Sequence, residues 1–495
     1  MSFSKIYTRS ICGLSAPLIE VEVHISQGLP SLTIVGLPET AVRESKDRVR
    51  SAIINSGFTF PSKRLTINLA PADLPKEGTR LDLPIAIGIL IASGQIPSLH
   101  AHHYEFVGEL ALDGRLRSVR SILTIAMACE HEQRALILPT KNQQYIQQLS
   151  SLKWFTAPDL KSVCDHLSNT QPLVQGEMSS EPYHQKRTSD LSDVKGQFAA
   201  KRALEIAATG GHSLLFRGPP GTGKTLLSSC LAGILPSLNH KQMLEVANIY
   251  SIANQEYILG TRPFRAPHHT CSAVALVGGG SQPKPGEITL AHHGVLFLDE
   301  LPEFDRKAFE VLRQPLESKE ITISRASGKT IFPADFQLIA AMNPCPCGYY
   351  FNQDQRCQCS LDQIKRYQNR ISGPLLDRID LHIDVPPISY QDMQVSQQSE
   401  NSDTVQRRVN MAYERQIQRQ KTQNQSLKNS DLEQYCQLDQ PCQRMLSLAQ
   451  KKLSLSVRGY HRILRVARTI ADLDGIEHIQ SKHLSEALSY RTPFE

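Results

Sequence analysis

Short apolar runs alternate with polar, turn-rich segments along residues 1–168. Leu18–His24, Ser31–Val35, Arg64–Leu69, Phe106–Leu110 and Ala135–Leu138 read as strands. Ala41–Ser56, Leu83–Ala92 and Ser121–Glu132 carry helical spacing. Leu83–Ala92 is apolar almost throughout and holds Pro84 and Gly88. At about half a membrane span it predicts a buried helix. The pattern therefore predicts an α+β or α/β domain over 1–168.

Apolar periodicity then stops. Gln171–Ser189 contains Pro172, Gly176, Ser179, Ser180 and Pro182, and residues 169–189 read as a linker. A second α/β block is expected over 190–388. Ser389–Thr404 is polar, with Gln394, Gln397, Gln398 and Glu400, which places a second linker at 389–403. Residues 404–495 turn helical, Gln- and Arg-rich first, then amphipathic from Met445 to Leu488. No internal repeat is visible.

The second block carries the strongest chemical signal. Gly218-Pro219-Pro220-Gly221-Thr222-Gly223-Lys224-Thr225 matches G-x-x-x-x-G-K-[ST] in full. Ser213–Arg217 reads as the strand before it and Leu226–Ile234 as the helix after it. Glycines let backbone N–H groups approach phosphate oxygens, and the helix N-terminus adds a positive dipole. Lys224 is placed to reach the β- and γ-phosphates and Thr225 to ligate Mg²⁺. Downstream, the apolar run Gly294–Leu298 ends in Asp299-Glu300. A buried strand brings Asp299 to the same sheet edge as a Mg²⁺ partner, with Glu300 the candidate base that positions water. A third strand, Phe336–Met342, ends at Asn343-Pro344. Asn343 is placed to hold water against a γ-phosphate, or it is an ordinary Asn-Pro turn.

Two further segments invite a polyanion. Glu317–Phe332 alternates like a hairpin around Ala326-Ser327-Gly328, with Arg325 and Lys329 flanking the tip. Val277–Gly286 is a Gly- and Pro-rich loop carrying Lys284. Basic loops of this kind grip phosphates without reading bases; a solvated hairpin with incidental charge is the alternative. His268-His269 and His292-His293 suggest metal, but neighbours on a strand point to opposite faces. Packing or hydrogen bonding is expected of them. Cys345, Cys347, Cys357 and Cys359 form C-x-C-x₉-C-x-C. Four thiolates suit a closed tetrahedral Zn²⁺ site, although the pairs are tighter than the usual C-x₂₋₄-C. Free thiols or a redox pair remain open.

Composition narrows the class. The chain has 495 residues, 40% hydrophobic and 21% charged, which excludes wholesale disorder and fits about three domains. Its formal charge of +6 permits a polyanionic partner without demanding one. A single Trp and 6% aromatic residues argue against a surface built on base stacking. Eleven cysteines in a chain this long do not read as a disulfide scaffold. The first ten residues lack the apolar core of a signal peptide. A soluble, cytoplasmic protein with no membrane partner is expected.

The phosphate loop, the Asp299-Glu300 tip and Asn343 together resemble the AAA+ ATPases, in particular the magnesium-chelatase-like group related to MCM helicases. Several stretches are closer still to the ComM (YifB) family: Asp190–Gln197, Arg262–His269, Ala291–Gly294, Ile371–Asp380 and Val457–Leu473. The resemblance implies an AAA+ core with a C-terminal helical lid, and it makes ATP and Mg²⁺ the expected cofactors. It makes Asn343 the sensor 1 residue, Arg378 an arginine finger given to a neighbouring subunit, and Arg458 the sensor 2 arginine of the lid. Arg370 is a second candidate finger. Val194–Gln197 would lie near the adenine base. The hairpin with Arg325 and Lys329 resembles a pore-facing pre-sensor-1 hairpin, and the Lys284 loop a helix-2 insert.

Pro71–Ala86 and Phe106–Leu116 resemble the Lon-protease-like domain, a ribosomal S5 domain 2-like fold. Lon proteases need a serine after the Gly-containing loop; here Gly78 is followed by Thr79-Arg80-Leu81-Asp82. Proteolysis is not expected. The same fold serves RadA-type helicases as a DNA-binding scaffold. That makes Lys63, Arg64, Lys76, Arg80, Arg115 and Arg117 candidate contacts; a purely structural or oligomerising module is the alternative. The resemblance as a whole implies a hexameric ATP-driven helicase. It would promote branch migration on single-stranded and branched DNA, without sequence preference, during recombination of incoming DNA in natural transformation. A metal-insertion motor and a protein-remodelling ATPase are the alternatives. The D-x-S-x-S signature of the chelatase partner is absent, and chelatase motors are expected to lack the N-terminal block.

Overall fold

Residues 2–74, 76–178, 189–280, 283–325, 328–350, 357–388, 400–452 and 455–491 are described by the computed structural model, with backbone alone at 325 and 328. The chain forms two compact units. The first comprises Met1–Pro182 with Ala247–Tyr257, the second Tyr183–Val246 with Ile258–Glu495.

The first unit is built on a seven-stranded mixed sheet. From edge to edge its strands are Ser31–Val35, Arg64–Ala70, Leu18–Ser26, Phe3–Arg9, Tyr104–Phe106, Ala135–Pro139 and Trp154–Ala157. Alternation places Val21, Val23, Leu65, Ile67 and Leu69 in the core. The helix Asp82–Ala92 lies against them and every one of its residues is buried, which explains its lack of a polar face. The run Phe106–Leu110 is not one strand. It breaks at Val107-Gly108, where Gly108 N–H bonds the Arg80 carbonyl, and Glu109–Leu110 pairs instead with Leu116–Arg117. The expected helix Ala41–Ser56 is likewise two, Thr40–Arg43 and Ser45–Asn55. A buried ion pair anchors the sheet: Arg9 Nε donates to Glu105 at 2.6 Å, both residues fully buried.

The second unit holds a five-stranded parallel sheet. Its order is Phe264–Arg265, Val295–Leu298, Gln337–Met342, Leu214–Arg217 and Leu381–Asp384. Parallel pairing sends all five C-terminal ends to one edge, so residues 218, 299 and 343 emerge side by side. Helices Phe198–Gly210 and Lys224–Ile234 cover the sheet. The C-terminal region is helical: Ser402–Gln420, Asn429–Tyr435, Gln440–Lys452, Val457–Leu473 and Ser481–Ser489. The first of these starts inside the stretch read as linker, where Asn401 caps it through Thr404 N–H. Ile463, Ala467 and Ile470 join the same buried cluster as Leu204, Leu214 and Phe216. No helix among the described residues is long and apolar enough to cross a membrane.

Candidate nucleotide site

The strand Leu214–Arg217 delivers the chain to the phosphate loop. Gly218 N–H donates to the Met342 carbonyl, and a Cβ on Gly218 would sit 2.2 Å from the Val385 carbonyl oxygen. Only glycine fits between the two neighbouring strand ends. Gly221 and Gly223 have φ of +79° and +86°, which turns the loop into the helix that begins at Lys224. Thr222 Oγ1 donates to the Pro219 carbonyl and closes the loop on itself.

Lys224 is buried, and its Nζ donates to the carbonyls of Gly218 and Pro219 at 2.8 Å each and to Asn343 Oδ1 at 3.3 Å. Burial pulls its pKa below the ordinary lysine value, and the charges of Asp299 and Glu300 push back. Thr225 Oγ1 donates to Asp299 Oδ2 at 2.8 Å. A hydroxyl and a carboxylate in contact form the oxygen donor pair that suits Mg²⁺. The residues present fit a magnesium–nucleotide complex: Gly218 to Thr225 could hold its phosphates, and Thr225 with Asp299 its ion. Glu300 follows in the left-handed region (φ 52°), so its side chain diverges from that of Asp299. Its Oε2 lies 3.0 Å from His269 Nδ1. Packing or hydrogen bonding was expected of His269, but not this partner: the pairing with Glu300 joins two loops distant in sequence.

Arg378 and Arg458, both expected from the resemblance, meet at one carboxylate. Arg378 Nη2 donates to Glu317 Oε1, its Nη1 to the Pro374 carbonyl, and its Nε has no partner. Arg458 Nη2 lies 3.9 Å from the same Glu317 oxygen and is largely exposed. Arg370 is paired with Glu303 at 2.7 Å. Glu317, near the end of the helix Arg306–Ser318, went unnoticed in the sequence because a lone helical glutamate carries no signal. Gln197, at the expected adenine side, donates to the Pro386 carbonyl at 2.7 Å.

Asp380 is buried between the sheet and the C-terminal helix Val457–Leu473. It accepts from Ser213 N–H at 3.1 Å and from Arg462 Nη1 at 3.0 Å, with His212 Nδ1 3.5 Å away. Burial raises its pKa, but Arg462, His212 and Arg491 outweigh that and hold the carboxyl well below the usual carboxylate range.

The hairpin forms as Glu320–Arg325 against Gly328–Pro333, with Ser324 opposite Lys329. Ile321, Ile323 and Phe332 are buried and Lys329 is exposed. Residues 326–327 and the Arg325 side chain lie outside the described residues. Gly278–Gly279 pairs with Lys284–Pro285, leaving Lys284 exposed; residues 281–282 are outside the description.

His292 and His293 are not on a strand. They follow the short helix Glu287–Leu290, and His293 has φ +54°, so both rings turn the same way, with centroids 3.8 Å apart. Glu245 Oε2 lies 2.8 Å from His293 Nε2 and 3.6 Å from His292 Nε2. His292 Nδ1 accepts the Asp335 N–H, which leaves a neutral ring's proton on Nε2, facing Glu245. The opposite-face argument fails, but hydrogen bonding accounts for the pair.

The four cysteines of the cluster converge. Their sulfurs all lie within 4.8 Å of one another. Burial pushes Cys347 up, but the Tyr349 N–H and neighbouring thiols outweigh it and bring its pKa to about 6.

In the first unit Lys63, Arg64, Arg115 and Arg117 are exposed. Lys76 is not a surface contact: it is fully buried, and its Nζ donates to the Pro71 carbonyl. Arg80 has a buried Nη1 without a partner, and burial lowers its pKa.

A phosphate loop at the edge of a parallel sheet, with Asp299 and Asn343 on adjacent strand tips, defines a P-loop protein of the AAA+ class. Family models agree: magnesium chelatase subunit ChlI matches residues 190–393, its C-terminal region 399–491, and a further model described as subunit ChlI of Mg-chelatase 21–142. The chain is 49% identical over 495 residues to a *Salmonella typhimurium* protein named YifB, covering 99% of this chain and 97% of that protein. It is 49% identical over 499 residues to the competence protein ComM of *Haemophilus influenzae*, covering 99% and 98%. Lon protease 2 of *Bacillus subtilis* is 27% identical over 197 residues, 34% of this chain and 35% of that protein. The chain belongs to the ComM (YifB) family of magnesium-chelatase-like AAA+ proteins. Since a model described as chelatase subunit ChlI matches 21–142, the N-terminal block carries no argument against metal insertion.

Proposed function

We propose that the protein is an ATP-driven DNA motor that assembles as a homo-oligomeric ring, a hexamer, in the cytoplasm. Its role is branch migration on single-stranded and branched DNA during recombination in natural transformation. The single observation that carries the ATPase is the coupling of three strand tips: Lys224 to Asn343, and Thr225 to Asp299. The competence reading is supported by the full-length similarity to ComM.

Lys224 and the loop N–H groups hold the phosphates, and Thr225 with Asp299 holds the magnesium ion. That ion, when bound, neutralises charge that builds on the β- and γ-oxygens. Glu300, steadied by His269, accepts the proton of the attacking water. Arg378 reaches the γ-phosphate bound by a neighbouring copy, because it has no contact with its own phosphate loop among the described residues. Lys329, Arg325 and Lys284 grip the DNA backbone, with Lys63, Arg64, Arg115 and Arg117 as further contacts.

The test is hydrolysis and strand displacement on a branched DNA, with Lys224→Ala and Glu300→Gln as controls. DNA-stimulated turnover with displacement is expected. Turnover indifferent to DNA, with no displacement, favours the metal-insertion reading, which the chelatase family matches also support, or the protein-remodelling one.

A further inference from the structure

The cysteine cluster sits two residues beyond Asn343, outside the groups that hold nucleotide. Cys345 Sγ lies 3.3 Å from Cys347 Sγ and 3.8 Å from Cys357 Sγ, and Cys347 lies 3.6 Å from Cys357. A disulfide requires about 2.05 Å. A tetrahedron with Zn–S bonds of about 2.3 Å has S–S edges of about 3.8 Å. The cluster has the size of a tetrathiolate metal site.

The backbone also contributes to the cluster. The Tyr350 N–H donates to Cys345 Sγ at 3.3 Å. Cys345 therefore has a main-chain donor. Such a donor disperses part of the excess negative charge of thiolates on a divalent ion and orients its ligand.

The cluster also touches the phosphate loop. Gly348, at φ +85°, passes so close to Pro220 that a Cβ there would lie 2.7 Å from Pro220 Cδ and 3.8 Å from Asn343 Cγ. On its other side Cys359 directly precedes Ser360, which caps the helix Leu361–Gln368, and Gln368 Nε2 donates back to the Pro344 carbonyl.

We propose that Cys345, Cys347, Cys357 and Cys359 hold one structural zinc ion, and that this ion braces the strand tip bearing Asn343 against the phosphate loop. All four positions are taken by protein, so the ion is closed to substrate and performs no chemistry. Its effect is geometric. It fixes Gly348 on Pro220, and with it the distance between Asn343 and Lys224. The metal site stands on its own, whereas the brace rests on the nucleotide-site reading above.

The full-length protein is assayed for zinc by elemental analysis, and its zinc is released stoichiometrically with a thiol-blocking mercurial. The zinc is also exchanged for cobalt(II), whose ligand-field bands report tetrahedral thiolate coordination. Binding of a fluorescent ATP analogue is measured before and after zinc release. The expected result is one zinc per chain, a tetrathiolate cobalt spectrum, and several-fold weaker analogue binding after release, with unchanged far-UV circular dichroism. Cys357→Ser with Cys359→Ser abolishes the metal, and Cys12→Ser keeps it. Absence of zinc and of the cobalt spectrum, or a disulfide among the four by non-reducing mass spectrometry, overturns the metal site. Zinc present with analogue binding unchanged on release overturns the brace. Zinc present in a wild type that binds no analogue overturns the nucleotide site and leaves the metal site standing.

Discussion

Arg378 is held by Glu317, a carboxylate 61 residues earlier in the chain. The same oxygen lies within reach of Arg458. One acidic side chain thus gathers the two arginines that the family pattern assigns to catalysis. Arg378→Ala is expected to lower ATP turnover by about 10³-fold or more, the scale of a lost arginine finger. Mixing Arg378→Ala with Lys224→Ala protomers should restore part of the activity, because some interfaces then pair an intact loop with an intact finger. Mixtures no more active than either variant alone would exclude donation between subunits.

Glu317→Gln separates holding from reacting. It removes the charge that Arg378 and Arg458 share but keeps an oxygen in place. Turnover should fall while affinity for an ATP analogue stays near that of wild type. Equal losses in both would make Glu317 a fold residue.

Glu300→Gln should leave nucleotide binding intact and lower hydrolysis by about 10²–10⁴-fold, the usual contribution of a positioned base. His269→Ala should give a smaller loss of the same kind. Single-turnover rates measured alongside binding distinguish these effects from a damaged loop.

Acid should act through Asp380. Its folded-state pKa lies below the unfolded value of about 3.9, so its stabilisation is complete above that pH and fades as pH falls through it. Asp380→Ala leaves Arg462 and the Ser213 N–H without their buried partner, and should cost about 3–5 kcal/mol. Denaturant midpoints between pH 7 and pH 3 report both effects: wild type declines below about pH 4, and the variant is low throughout.

Lys329→Ala should weaken DNA binding equally for all sequences and reduce the slope of log K against log salt by about one. A change confined to some sequences would speak for base contact instead.

Regular periodicity and local motifs made much of this legible in advance. The loop 218–225, the tip Asp299-Glu300 and Asn343 each follow directly on an apolar run that reads plainly as a strand, so parallel pairing alone brings them together. The buried helix Asp82–Ala92 was visible for the same reason. What stayed hidden depends on pairs far apart in sequence: Glu300 with His269, Arg378 with Glu317, Asp380 with Arg462 and Arg9 with Glu105. No local pattern marks a long-range ion pair. Lys76 shows the opposite failure, since a lysine in a turn-rich segment reads as exposed until its Nζ is found on the Pro71 carbonyl. For His292-His293 the expected hydrogen bonding is present, but the strand argument behind it fails because the chain turns there.

The segment Ala247–Tyr257 belongs with the N-terminal unit although it lies beyond the phosphate loop. Asn248 bonds Thr124 and the Leu14 carbonyl there. The first unit is therefore completed only after residue 257 has been synthesised. Domains generally mature in the order they leave the ribosome. Here the earliest part must wait, partly assembled, until more than half of the polypeptide has emerged, and cutting the gene after residue 182 would leave that unit permanently unfinished.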